Sequence, residues 1–189
     1  MRTWGPLATV MALGAVGCQP ELAAPGLRDL QGQVHTPTAP VGDAVHVLIF
    51  TSHECPIANG YAPTLKTLEA RWSTEPRVQL FLVHVEPDLT AAAARDHARD
   101  YALAGTILLD PTHAAAQACG VTKTPEAVVM TAKGQLYRGR IDDQWRKLGS
   151  RAPAASSHDL ADAVTCALQD ERIPEPHPQA VGCLLPEPR

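Results

Sequence analysis

No run of lysine or arginine occurs anywhere in the chain. Sixteen Lys+Arg stand against 20 Asp+Glu, for a net charge of −4. Nucleic-acid binding is driven by phosphate neutralisation, so this balance argues against that class of partner. Nor does any apolar stretch reach the ~18–20 residues that span a bilayer, which excludes a multi-pass membrane protein. There is no internal repeat and no low-complexity tract. What remains is a chain of 189 residues with 45% hydrophobic and 19% charged residues. Wholesale disorder does not fit that composition. The length suits one domain with short appendages, large enough to bury a core without metal or disulfide staples.

The first residues carry an export pattern. Arg2 is a short positive region, Trp4 to Val16 is apolar, and Ala15-Val16-Gly17 leads into Cys18. The segment is too short for a span and reads as a signal peptide over 1–17. A cysteine directly after Val-Gly also resembles the bacterial lipoprotein cleavage box, although Ala15 stands where that box has leucine. That resemblance implies a lipid anchor on Cys18, the only membrane association expected. With or without the lipid, the protein is expected to be exported, as a periplasmic or outer-membrane-anchored product. Disulfides persist in that setting.

Residues 18–30 are rich in Pro, Ala and Gly and read as a tether. A folded domain is expected over 31–171. Val45–Thr51 is an apolar, β-branched run, hence a buried strand. Ile57, Tyr61, Leu65, Leu68 and Trp72 share one helical face, with Pro56 in the first turn and Pro63 expected to kink the helix. Strands are expected at 77–85 and 107–109, helices at 89–101 and 111–118. A hairpin over 127–140 turns at Lys133-Gly134. A loop over 144–156 and a last helix over 158–169 follow. Residues 172–189 form a Pro-rich tail with no packing of its own expected. Alternating strands and helices predict an α/β domain with a mostly parallel sheet, mixed through its terminal hairpin, and helices on both faces.

The chemistry concentrates at His53-Glu54-Cys55-Pro56. A cysteine where a strand passes into a helix meets unpaired N–H groups, which favour the thiolate. The strand Val45–Thr51, Cys55-Pro56, Pro63, the Val121–Pro125 segment and the hairpin after it together resemble the thioredoxin-like superfamily, in particular its bacterial redoxin branch of peroxiredoxins and exported thiol–disulfide proteins. The resemblance covers about residues 31 to 171. It implies a thioredoxin-like fold and a reactive Cys55. It also implies a cis bond at Thr124-Pro125, packed beside that cysteine. Two departures stand out. Ala58 occupies the position of thioredoxin's second cysteine, and Leu48 stands where peroxiredoxins have a proline, though Ser52 matches their Thr/Ser.

The implied activity is that of an exported thiol oxidoreductase. Its Cys55 thiolate would act on a protein disulfide or a peroxide. Resolution would come from Cys183, carried by a tail long enough to reach back, or from an external thiol reductant. Cys183 could equally be a tail residue without consequence. The four cysteines after Cys18 allow three full pairings. A copper-delivery protein is the competing reading, since thiolate and imidazole suit Cu(I), with His53 two residues from Cys55. A non-catalytic redoxin-fold binding module is the third. No cofactor and no metal site is expected. His53 is either a solvated loop residue, a ligand, or a group that lowers the thiol's pKa. Glu54 either opposes the thiolate or shuttles a proton. Cys119, Tyr61 and Trp72 are expected in the core, and Cys166 has no assigned role. His97 and His113 are expected at the surface or an edge. Arg140, Asp142 and Asp143 form either a solvated turn or an Arg–Asp brace.

Overall fold

The computed structural model describes residue 1 and residues 24–188 of the chain. Cys18 and residues 2–17 of the expected signal peptide lie outside the described residues. The centre of the domain is strand β3 (Val45–Thr51), whose seven residues are all buried. Its side chains alternate between two apolar layers. Val45, Val47 and Ile49 join one, Leu48 and Phe50 the other. A strand buried on both faces has no polar side, which is why the sequence reads as a continuous apolar run.

Around β3 lies a seven-stranded sheet. β4 (Val78–His84) and β5 (Thr106–Leu109) continue it in parallel on one side. β7 (Glu126–Thr131) and β8 (Gly134–Gly139) extend it antiparallel on the other. β1 (Leu27–Asp29) and β2 (Val34–His35) close the β5 edge, giving the order β2-β1-β5-β4-β3-β7-β8. The sheet is mixed, as expected, but only the β3–β4 and β4–β5 pairs are parallel. Hairpin turns at Leu30–Gln33 and Ala132–Lys133 leave no room for the crossover that parallel pairing requires. β1 also places Leu27 in the core, inside the stretch expected to be tether.

Helices cover both faces. α1 (Pro56–Gly60), α2 (Ala62–Trp72), α3 (Ala91–Asp100) and α5 (Asp159–Gln169) line one layer through Ile57, Leu65, Trp72, Ala94, Leu160 and Val164. α4 (Ala114–Cys119) lines the other through Ala115, Ala116 and Cys119. The single kinked helix expected from Pro56 to Trp72 is two helices meeting at Tyr61. Pro63 has no N–H to donate, so the chain breaks just before it and Pro63 sits in the first turn of α2. No helix among the described residues is long and apolar enough to cross a membrane.

The tail is packed, contrary to expectation. Arg138 N–H donates to Pro176 O at 2.9 Å and Arg140 N–H to Pro178 O at 3.2 Å. Prolines cannot donate, but their carbonyls satisfy the outer N–H groups of edge strand β8. Ile173 and Ala180 are buried. The chain then crosses to the site, where β11 (Cys183–Leu184) pairs antiparallel with β6 (Lys123–Thr124). The loop expected over 144–156 holds a small hairpin, β9 (Trp145–Lys147) with β10 (Ser150–Arg151). Arg140 braces that end of the molecule through Asp159, at 2.9 and 3.1 Å. Asp143 accepts instead from the Ser156 and Ser157 backbone.

Candidate active site

Cys55 stands at the entrance of α1 with extended backbone angles, and Asn59 N–H donates to its carbonyl at 3.0 Å. Strand β3 delivers the chain to this point. The rigid Pro56 then starts the helix, so the thiol is fixed by the two most constrained neighbours available. The residue is 1% exposed. Its Sγ lies 3.1 Å from Thr124 O, to which the thiol donates, and 2.7 Å from Cys183 Sγ. Both cysteines are free thiols. The Thr124–Pro125 bond is cis. The four residues expected to form the site, Cys55, Thr124, Pro125 and Cys183, therefore lie together.

Cys183 reaches Cys55 through the β6–β11 ladder, in which it is the partner of Thr124. Gly182 makes that approach feasible. A Cβ there would collide with the Thr124 carbonyl, which is backbone and cannot give way. Leu185 N–H donates to Thr122 O at 3.3 Å and prolongs the pairing by one step.

The two thiols differ in charge preference. Burial pushes the Cys55 pKa up. Hydrogen bonds from the Cys183 thiol, from the Ala58 and Cys183 backbone and from the Thr124 side chain outweigh that and hold it below the ordinary value. The Thr124 hydroxyl is buried with no geometric hydrogen bond of its own, so a charge on Cys55 gives it an acceptor. Cys183 is raised to about 11 by burial and by its hydrogen bond to, and the charge of, Cys55. The first proton to leave the pair leaves Cys55. Cys119 is buried and raised to about 12, chiefly by desolvation, which makes it an inert core thiol. Cys166 is half-buried against the first core layer.

A polar network beside Cys55 was not legible in the sequence. Its hub is Glu86. One Glu86 oxygen accepts from His53 N–H at 2.5 Å and lies 2.7 Å from His53 Nδ1. The other lies 3.3 Å from His84 Nδ1. Burial raises the Glu86 pKa, but the hydrogen bond and charge of His84, with hydrogen bonds from His53 and Ser52, bring it down to about 2. His97 Nε2 meets Asn59 Oδ1 at 2.8 Å, and Asn59 Nδ2 donates to His53 O at 2.8 Å. The loop before Cys55 is thereby tied to α1 and α3. His97 is buried, contrary to expectation, because it packs between the His84 and Tyr101 rings, 5.2 and 4.9 Å away. Desolvation first, then the charge of His84 and His53, lowers its pKa to about 4. His113 is buried too, its Nε2 2.7 Å from Val85 O. The parallel β3–β4 register pairs Thr51 with His84, so residues just past the two strand ends face each other. That register is the one signal that links Glu86 to Cys55, and it requires the fold. His53 is held by Glu86, and Glu54 is exposed. Among the described residues no cluster of three or more His, Cys, Asp or Glu has an arrangement that could hold a metal ion.

No family model matches the chain, and no curated protein matches it. Solved structures do. An uncharacterized conserved protein from Geobacillus kaustophilus has a TM-score of 0.69 at 21% identity, covering 86% of this chain and 88% of that one. A secreted Mycobacterium tuberculosis disulfide oxidoreductase homologous to E. coli DsbE has a TM-score of 0.53 at 19% identity, covering 78% and 96%. The M. tuberculosis dsbF structure has a TM-score of 0.57 at 21% identity, covering 76% and 95%. The fold is thioredoxin-like, with a mixed central sheet and helices on both faces, of the kind found in thiol–disulfide oxidoreductases.

Proposed function

We propose that the chain is an exported thiol–disulfide oxidoreductase whose redox pair is Cys55 and Cys183. The observation that carries this reading is the placement of two free sulfurs 2.7 Å apart, one favoured as thiolate and the other as thiol. A disulfide measures about 2.05 Å, so bond formation asks for a movement of about 0.7 Å. Cys183 thus supplies the second sulfur that Ala58 does not. The Cys55 thiolate and the Cys183 thiol give two electrons to an external disulfide. The products are the Cys55–Cys183 disulfide, one external thiolate and one external thiol. Thiol or disulfide groups of polypeptides are the substrate class, in keeping with the disulfide oxidoreductases among the structural neighbours. Disulfide is favoured over peroxide because, among the described residues, the geometric partners of the Cys55 sulfur are the Thr124 carbonyl, to which its thiol donates, and the Cys183 sulfur, not an arginine. Export rests on the Arg2 to Cys18 pattern and on the secreted character of one neighbour. Cys18 is the proposed lipid attachment point.

Diamide oxidation of the full chain, followed by tryptic mapping, tests the pair. Cys55 falls in peptide 29–66 and Cys183 in peptide 173–189. The two are expected cross-linked in the wild type and separate in Cys55→Ser and Cys183→Ser. Each variant should also catalyse exchange between glutathione disulfide and a dithiol at least about tenfold more slowly. A cross-link that uses Cys119 or Cys166 instead, or full activity in Cys55→Ser, overturns the reading.

A further inference from the structure

In the proposed pair the two sulfurs are not equally placed for a third. Cys55 is 1% exposed, enclosed by β3, α1 and Thr124, whereas Cys183 is half-buried on an outer two-residue strand. Thiol–disulfide exchange proceeds in line: the entering sulfur, the attacked sulfur and the leaving sulfur are collinear. Cys55 is itself a buried member of the first core layer, so an entering sulfur has no solvent approach to it. Cys183 is only partly buried and the residue after it, Leu184, is 80% exposed, so the tail strand is where an entering sulfur meets the pair from solvent. We propose that an incoming thiolate opens the Cys55–Cys183 disulfide at Cys183, so that the mixed disulfide forms on the tail strand and Cys55 is the leaving sulfur.

This inference rests on the redox pair proposed above and assigns its two ends. In thioredoxin's own arrangement both cysteines lie on one helix turn; here Ala58 removes that option and the second sulfur comes from outside the helix. The step balances. An external thiolate forms one S–S bond to Cys183 while the Cys55–Cys183 bond breaks, leaving Cys55 as thiolate. A second external thiolate then attacks the external sulfur of the mixed disulfide. It forms an external disulfide and releases Cys183, which takes up a proton. The hydrogen bonds that hold Cys55 charged make it the better leaving group, since a thiol of lower pKa departs faster. The short ladder at Thr124 lets the loaded tail lift away without disturbing the sheet that carries Cys55. In the half-cycle that follows oxidation of the pair, the outside partner is therefore a thiol that meets the tail, and that half-reaction is donation of the disulfide to a dithiol.

Site-mapped trapping of the first intermediate is the test. The diamide-oxidised full chain is mixed with an equimolar amount of glutathione, quenched with acid at the earliest time points, alkylated and digested. Mapping before glutathione is added reads the Cys55–Cys183 cross-link itself. Its absence overturns both this inference and the proposed pair. With the cross-link present, glutathione is expected on peptide 173–189, with Cys55 alkylated, in roughly tenfold or greater excess over the adduct on peptide 29–66. An adduct that forms first on Cys55, or equally on both, overturns this inference and leaves the redox pair standing.

Discussion

At Cys55 two opposing effects meet, and their balance sets the chemistry. Burial drives a thiol toward its neutral form, as it does at Cys119, which burial first and the charge of Asp110 second raise to about 12. Cys55 is as buried but moves the other way, because donors from β11, α1 and Thr124 converge on one sulfur. The largest of these is the Cys183 thiol. A hydrogen bond to a charged group contributes about 1.5–3 kcal/mol, so its loss should raise the Cys55 midpoint by about one to two pH units. Cys183→Ala is expected to show that rise, and Cys183→Ser, whose hydroxyl still donates, a smaller one. Thiolate absorbance in the ultraviolet against pH is the suitable measurement, since alkylation would report the burial of Cys55 as well as its charge. An unchanged midpoint in Cys183→Ala would mean that α1, Thr124 and the β11 backbone hold the charge without the Cys183 thiol.

Elements of two residues decide the geometry, and they are the ones the sequence hides. Long elements announce themselves by period: β3 spans Val45–Thr51 as expected, and α5 begins one residue later than expected, at Asp159. β6 and β11 have two residues each, too few for any periodicity, and their pairing spans more than fifty residues of chain. Reasoning from the resemblance put Thr124 and Pro125 beside Cys55. The role of Cys183 stayed open because its strand partner is visible only in the fold. The tail's docking was hidden for a related reason. Proline content reads as disorder, yet Pro176 and Pro178 contribute carbonyls to a sheet edge that needs acceptors. Gly139 permits that contact, since a Cβ there would strike the Pro178 carbonyl. Gly182→Ala offers a test at this scale. The new methyl would collide with the Thr124 backbone, so β11 must separate from β6 while the rest of the tail stays pinned at β8. Diamide should then close the Cys55–Cys183 disulfide several-fold more slowly, because the effective concentration of one sulfur at the other falls. Cys55 should also become open to iodoacetamide. Equal closure rates in Gly182→Ala and wild type would show that the ladder does not position Cys183.

Across the whole molecule, the polar network behind Cys55 couples folding to pH. In the unfolded chain His97 gains a proton as pH falls through about 6.5, whereas in the folded protein it refuses one until about 4. Glu86 gains its proton near 4.5 when unfolded and near 2 when folded. In both windows the unfolded state binds more protons, so folding stability falls as pH falls. His97 acts first, between 6.5 and 4, and Glu86 next, between 4.5 and 2. A lowering from 6.5 to about 4 in a residue only 7% exposed corresponds to as much as about 3 kcal/mol once the window is crossed. Desolvation is the first cause of the lowering; of the groups facing His97, His84 and His53 add to it by repelling its proton, while Glu86 and Asp100 attract it less strongly. Urea unfolding at pH 7 and pH 4.5 should therefore show a clear fall in midpoint at the lower pH. His97→Gln keeps an amide to meet Asn59 but does not titrate, so its midpoint should fall less over the same interval. If both proteins lose equal stability, His97 takes its proton in the folded state too, and the acid sensitivity of the domain belongs to Glu86 and the carboxylates alone.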